Sequence, residues 1–289
     1  LLAALPASAQ APAQAHTDLD QIVTRGNTEV RPNAGTYWTA ERFKAARPMP
    51  FPAVRPEAVR VEPQPTAPAT TPESSDGQPP SHRSKLVARR LYTPDAERPR
   101  SEPDRLPQDR RAPEGGTVEP QANGTFGTPF TSTRVFPLFT GTGTTFSADR
   151  AYPYVAVGKL FFTINGSPYV CSASVIQRRV VATAGHCVHS GGAAGFHNDF
   201  VFVPAFRDGV APLKQWNWRY VAVTTAWASG GGGVPNAADY AMIEFADQPL
   251  TTGGSLVKLG NVTGWLGWQT ASLNANHTSK LGYPCNLDS

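Results

Sequence analysis

The chain has 289 residues and a formal net charge of +4, which leaves room for about two domains of the usual size. Charge and proline are spread unevenly, because residues 1–134 hold 32 of the 48 charged side chains and most of the 28 prolines. The basic excess is small in both parts of the chain. The composition therefore argues against a concentrated phosphate-binding surface and against nucleic acid as a partner.

The first residues predict the remnant of a secretory signal peptide over positions 1–9. They match the end of an apolar signal core followed by the small-residue cleavage site Ala7-Ser8-Ala9. A disordered apolar terminus is the alternative. No other apolar stretch of the sequence is long enough to span a bilayer. We therefore expect a secreted product, extracellular or periplasmic, with no membrane association after signal removal.

Residues 10–134 are predicted to form a propeptide and linker that is largely disordered. They are rich in Pro, Arg, Glu, Ala and Ser, and show little hydrophobic periodicity outside a short stretch at 37–43. Such a composition buries too little apolar surface to offset the entropy of ordering the chain. A nucleic-acid-binding arm is the alternative, but acids are interleaved with the bases of residues 81–111 and aromatic residues are almost absent there.

Residues 135–289 are predicted to form an all-β domain. Short alternating or β-branched segments are separated by Gly, Pro and Asn at spacings typical of a sandwich or barrel. The predicted strands are residues 154–164, 169–176, 179–183, 200–206, 216–225 and 240–246. Six strands suit one small closed barrel.

The sharpest feature of the sequence is a histidine at the end of an apolar strand, in Val-Val-Ala-Thr-Ala-Gly-His-Cys at 180–187. An imidazole that acts as a general base needs a fixed position and tautomer. Cys187 follows His186 directly, and Cys171 lies on the preceding strand. A disulfide between them would close a loop of 16 residues and stabilise the fold by roughly 3 kcal/mol.

Two other interpretations of His186 are a core histidine and a metal ligand. The metal interpretation would recruit Cys187 and His189 from the sequence His-Cys-Val-His, but no second ligand pair follows at zinc-site spacing. No metal and no cofactor are expected.

These residues resemble a known family. Cys-Ser-Ala-Ser-Val-Ile at 171–176, followed by Thr-Ala-Gly-His-Cys at 183–187, is similar to the histidine box of trypsin- and chymotrypsin-like serine peptidases. The segments at 150–154 and 263–268 resemble the bacterial glutamyl-endopeptidase (V8-like) branch more than the digestive enzymes. The resemblance covers residues 135–289.

The resemblance implies the first six-stranded barrel of a chymotrypsin-like double β-barrel, with the second barrel mostly missing. It makes His186 the general base. A triad also needs a buried carboxylate that orients the imidazole and follows it in the chain. Asp239 lies at the head of the apolar strand Asp-Tyr-Ala-Met-Ile-Glu-Phe, which resembles the aspartate box of the family. A turn acid is the alternative for Asp239.

The nucleophile is not evident in the sequence. Cys-Asn-Leu-Asp-Ser at 285–289 imitates the family's nucleophile box, but Leu287 replaces the glycine that helps to form the oxyanion hole. Only 50 residues separate Ser289 from Asp239, too few for a second barrel. We therefore expect the serine, the oxyanion hole and the partner of Cys285 to lie beyond residue 289.

The sequence thus predicts a secreted serine endopeptidase precursor that acts on proteins or peptides, and a chain that is inactive by itself. A non-catalytic binding or adhesion module on the same fold is the alternative, because fold does not fix function. A metal-dependent hydrolase is a third interpretation.

Overall fold

The structure is a computed structural model. It describes residues 21–28, 37–50, 52, 73–82, 86–93, 138–141, 144–147, 150–234, 236–270 and 281–283. The signal remnant predicted at residues 1–9, Cys285 and Ser289 lie outside the described residues.

The described residues contain short strands and a few short helices. The strands are, in chain order, β1 (Ile22–Gly26), β2 (Arg47–Pro48), β3 (Ser74–Ser75), β4 (Arg89–Arg90), β5 (Leu138–Gly141), β6 (Thr144–Ser147), β7 (Val157–Ile164), β8 (Ser167–Val175), β9 (Val180–Thr183), β10 (Asn198–Pro204), β11 (Val210–Ala211), β12 (Trp216–Thr224), β13 (Ala241–Phe245), β14 (Gln248–Pro249), β15 (Leu256–Val257) and β16 (Trp268–Gln269). The α-helices are α1 (Ala40–Ala45), α2 (Thr225–Ser229) and α3 (Leu259–Thr263). None of the described helices has the length and apolar character needed to cross a bilayer.

Six strands close into an antiparallel barrel in the order β12-β10-β7-β8-β9-β13, and β13 pairs back onto β12. The predicted all-β class and the six-stranded barrel are confirmed, and each predicted strand is present. Several boundaries differ by one to three residues, and the largest difference arises because residues 154–156 form a 3-10 turn before β7 begins. There the Val155 N–H donates to Ala151 O at 2.9 Å, which is a helical bond and not a ladder bond.

The strand β7 is buried along almost its whole length, on both faces. Side chains alternate across a strand, so Phe162 points into the barrel core while Phe161 points outward. The strand β10 does the same, with Phe202 in the barrel core and Val201 outside it. A strand with two apolar faces needs a cover on its outer face.

That cover comes from the N-terminal part of the chain. Trp38, two residues before α1, and Phe43, on the buried side of that helix, pack on Phe161 with ring centroids 5.6 and 4.9 Å away. Phe206 joins the same outer core, with its ring centroid 5.6 Å from that of Phe161. The apolar stretch noted at 37–43 is therefore the anchor of a second core outside the barrel.

The N-terminal part also adds strands to the barrel domain. The strand β1 pairs antiparallel with β12, β2 pairs parallel with β8, β4 pairs with β11, and β3 pairs with β16. These stretches are ordered; most of residues 10–134 lies outside the described residues, so the expectation of a largely disordered segment stays a prediction. Backbone pairing with distant strands and burial in the outer core together offset the entropy of ordering these stretches. Neither contribution is visible in the local composition.

Candidate active site

His186 lies in a 3-10 turn, Gly185–Cys187, that begins one residue after β9 ends. Gly185 is favoured by the close packing of this turn. A Cβ atom at this position would lie 3.0 Å from Asp239 Oδ1 and 3.1 Å from the indole of Trp227. The turn therefore sits directly against the carboxylate of Asp239 and the ring of Trp227.

The predicted disulfide joins Cys171 on β8 to Cys187 beside the histidine. Cys187 is buried in the barrel core. Thr183, the last residue of β9, donates from Oγ1 to Ser172 O at 2.9 Å. These covalent and hydrogen-bonded links fix both sides of the turn to β8, which gives His186 a defined backbone position.

Asp239 is held by the loop that precedes β13. The Asp239 N–H donates to Asn236 O at 3.0 Å, and the Ala238 N–H donates to Asn236 Oδ1 at 2.9 Å. Ala238 O accepts from Thr224 Oγ1 at 3.1 Å. Because β13 pairs with β9, with Ala241 opposite Thr183, the start of β13 lies beside the end of β9. This pairing brings together two residues that are 53 positions apart.

One carboxylate holds the histidine at two points. His186 Nδ1 lies 2.8 Å from Asp239 Oδ2, and the His186 backbone N–H donates to Asp239 Oδ1 at 2.8 Å. A carboxylate oxygen only accepts, so Nδ1 carries the proton and Nε2 of the neutral ring is left as the proton acceptor. The His186 and Asp239 side chains are 17% and 15% exposed. Such an arrangement can take up a proton at Nε2.

A second histidine, His197, binds the backbone of the turn that carries His186. His197 Nε2 lies 3.1 Å from His186 O and, because a carbonyl only accepts, donates to it. The His197 ring stacks on Phe162, with centroids 5.4 Å apart and planes 11° apart. Burial lowers the pKa of His197 to about 4, with the hydrogen bond to His186 acting in the opposite direction. His197 is therefore neutral near pH 7.

Trp227 and His189 complete the surroundings of the turn. The Trp227 ring centroid is 6.4 Å from that of His186, and its Nε1–H donates to His189 O at 2.9 Å. His189 Nδ1 accepts from the Gly191 N–H at 3.0 Å, and burial lowers the His189 pKa. Neither Trp227 nor His197 could be predicted from the sequence. Each donates to a backbone carbonyl, and every residue has such a carbonyl, so no residue pattern marks the partner.

The metal interpretation meets a chemical obstacle. Cys171, His186 and Cys187 present ligand atoms within 4.8 Å of one another. Both sulfurs belong to the disulfide, however, so neither cysteine offers the thiolate that binds metals. Cys187, which this interpretation needs as a metal ligand, is instead bonded to Cys171.

The sequence relationships agree with this geometry. No protein-family model matches the chain. Over 136 residues the chain is 26% identical to the glutamyl endopeptidase of Bacillus licheniformis, a stretch that covers 46% of this chain and 37% of that protein. The predicted resemblance to trypsin- and chymotrypsin-like serine peptidases is confirmed. The six-stranded barrel of this chain places a histidine and an aspartate in contact.

Three solved structures are also similar. Protease Anisep from Arthrobacter nicotinovorans is 34% identical, with 38% of this chain and 48% of that chain covered and a TM-score of 0.33. A thermostable serine protease, AL20, from an extremophilic microorganism is 28% identical, with coverages of 38% and 48% and a TM-score of 0.32. A Glu endopeptidase is 21% identical, with coverages of 40% and 46% and a TM-score of 0.32. The chain spans less than half the length of each of these relatives.

Proposed function

We propose that the chain is the part of a secreted serine endopeptidase precursor that carries the general base and its orienting acid. The observation that carries the proposal is the double contact of Asp239, whose two oxygens bind Nδ1 and the backbone N–H of His186. The substrates are proteins or peptides, and the reaction is hydrolysis of a peptide bond.

In this proposal His186 Nε2 removes the hydroxyl proton of a serine as its oxygen attacks the peptide carbonyl. The imidazolium then gives that proton to the leaving amine, and an acyl-enzyme forms. A water molecule attacks the acyl-enzyme with His186 again as base, which releases the acid and restores the serine. Asp239 keeps the proton on Nδ1 throughout and stabilises the imidazolium.

The proposal assigns the nucleophilic serine, the oxyanion hole and the specificity pocket to sequence beyond residue 289. The chain matches only 37% of the Bacillus licheniformis relative. In this proposal, a second barrel formed by the rest of the protein supplies these groups. Ser289 is the competing nucleophile within the chain, and it lies outside the described residues.

Export and processing belong to the same proposal. A disulfide beside the histidine suits an oxidising compartment, and residues 1–9 supply the signal remnant. Residues 10–134 are the prosegment and residues 135–289 are the first part of the peptidase domain. We place the processing site between residues 111 and 135.

The test compares two proteins, the chain as given and the chain extended through the next Gly-x-Ser-Gly-Gly of its gene. We expect labelling by a serine-directed phosphonate and hydrolysis of casein in the extended protein alone. Labelling of Ser289 in the short chain would contradict the assignment of the serine. A gene that continues without a nucleophile in that position would favour the binding or adhesion module.

A further inference from the structure

The strand β1 pairs with a part of β12 that β10 leaves without a backbone partner on that edge. Along β12, the strand β10 pairs only with Trp216 and Asn217. The strand β1 pairs with the same strand further along, from Gly26 opposite Tyr220 to Ile22 opposite Thr224. The N-terminal segment thus completes a ladder of the barrel that carries the candidate site.

Residues 196–199, which run from the loop before β10 into the first two residues of that strand, receive three side-chain donors from the same segment. Arg25 donates from Nη1 to Phe196 O at 3.3 Å and from Nη2 to His197 O. Trp38 donates from Nε1 to Asp199 O at 2.7 Å. Three of the four backbone carbonyls of residues 196–199 are therefore satisfied by residues that lie more than 150 positions earlier in the chain.

Two aromatic rings and the negative charge of Asp199 surround the guanidinium of Arg25. Its guanidinium lies 5.2 Å from the ring centroid of Trp218 and 5.5 Å from that of Phe196, which are cation–π distances. Burial lowers the pKa of Arg25, and the negative charge of Asp199 acts in the opposite direction. Arg25 is half-buried, and removing its guanidinium would leave the carbonyls of Phe196 and His197 without this charged donor.

Two loop residues, Phe196 and His197, have carbonyls that accept from Arg25, and one of them binds the backbone of His186. His197, whose carbonyl accepts from Arg25, donates from its ring to His186 O. The N-terminal segment, the loop and the histidine turn are therefore joined by consecutive hydrogen bonds. The outer core around Trp38 and Phe43 binds the same segment to the barrel by apolar burial.

We propose that the N-terminal segment stays bound to the barrel after proteolytic processing as a non-covalent second chain, with Arg25 as a positioning residue for His186. The three cysteines of the chain all follow residue 170, so no disulfide of this chain holds the segment after cleavage. The positioning role rests on the proposed function of His186. The retention of the segment rests on the proposed processing, but a cut introduced by a site-specific protease tests it separately.

The first experiment cuts the chain at one place. A recognition sequence for a site-specific protease is inserted after Arg111 in the full chain, and the cut protein is passed over a gel-filtration column at micromolar concentration. We expect both fragments in one peak in native buffer and in two peaks in denaturant. Separate elution in native buffer would overturn the proposal.

Matched variants test the anchor. We expect Arg25→Met to raise the dissociation constant of the cut segment roughly 10- to 100-fold, as the loss of two hydrogen bonds from a half-buried charged donor predicts. Arg42→Met is the control, because its guanidinium lies on Tyr37 of its own segment, and it should leave the constant unchanged. Equal effects of the two substitutions would refute the role of Arg25 as anchor.

The positioning role is read by NMR in the uncut chain. The Nδ1 proton of His186, assigned by its absence in His186→Gln, should shift or broaden in Arg25→Met, recover in part in Arg25→Lys and stay in place in Arg42→Met. An unchanged Nδ1 signal in Arg25→Met would refute positioning. This signal reports geometry without a serine, so absence of peptidase activity in the extended protein would overturn the proposed function and not this inference.

Discussion

Protonation of His197 should destabilise the fold between pH 6.5 and pH 4. The ring is 4% exposed, and burial lowers its pKa to about 4 from an ordinary value of about 6.5. Between these values the unfolded chain binds a proton that the folded chain does not, so the free energy of unfolding falls as the pH falls. A separation of about 2.5 pH units corresponds to about 3 kcal/mol. Below pH 4 this group causes no further loss.

Urea unfolding of the full, oxidised chain at pH 7, 5.5 and 4 measures this effect. His197→Gln is the matched variant, because a Gln amide can donate to His186 O but does not titrate. Carboxylates and the other histidines titrate in both proteins, so the difference between the two pH profiles isolates His197. We expect the variant to lose about 3 kcal/mol less than the wild type over this range. Parallel profiles would refute the assignment of a buried neutral His197.

Three further outcomes are expected. Cys187→Ala should lower the free energy of unfolding by roughly 3 kcal/mol, and peptide mapping without reduction should recover the native disulfide; free thiols in exported protein would contradict it. Gly185→Ala should reduce the kcat/KM of the extended protein roughly tenfold, because Asp239 must shift slightly to admit the Cβ atom. Gly192→Ala is its control, since a Cβ there meets nothing within 4 Å. N-terminal sequencing of secreted enzyme should begin between residues 111 and 135, and an active enzyme that begins at residue 10 would oppose processing.

The six barrel strands could be predicted because their signal is local. Alternation with period two, β-branched residues and Gly or Pro at the ends are visible in any window of the sequence. His186 and Asp239 could be singled out in the same way, since each stands near a strand end within a short characteristic box, and their catalytic roles stay predictions. The contact between them follows from one topological fact, the pairing of β9 with β13.

The docking of the N-terminal segment could not be predicted, for a physical reason. Five residues from Ile22 to Gly26 become a strand only because an open stretch of β12 lies beside them, nearly 200 positions later. Arg25 and His197 are 172 positions apart and meet through a backbone carbonyl. Carbonyls are present at every residue, so residue types alone carry no sign of such a partner.

The central claim is that Asp239 keeps His186 in the tautomer that accepts a proton at Nε2. Its most direct test is the kcat/KM of the extended protein with Asp239→Asn, beside Asp208→Asn, a control whose side chain is 56% exposed. We expect a loss on the order of 10⁴-fold for Asp239→Asn, because the amide favours the wrong tautomer, and no change for Asp208→Asn. A loss of less than tenfold for Asp239→Asn would contradict the account.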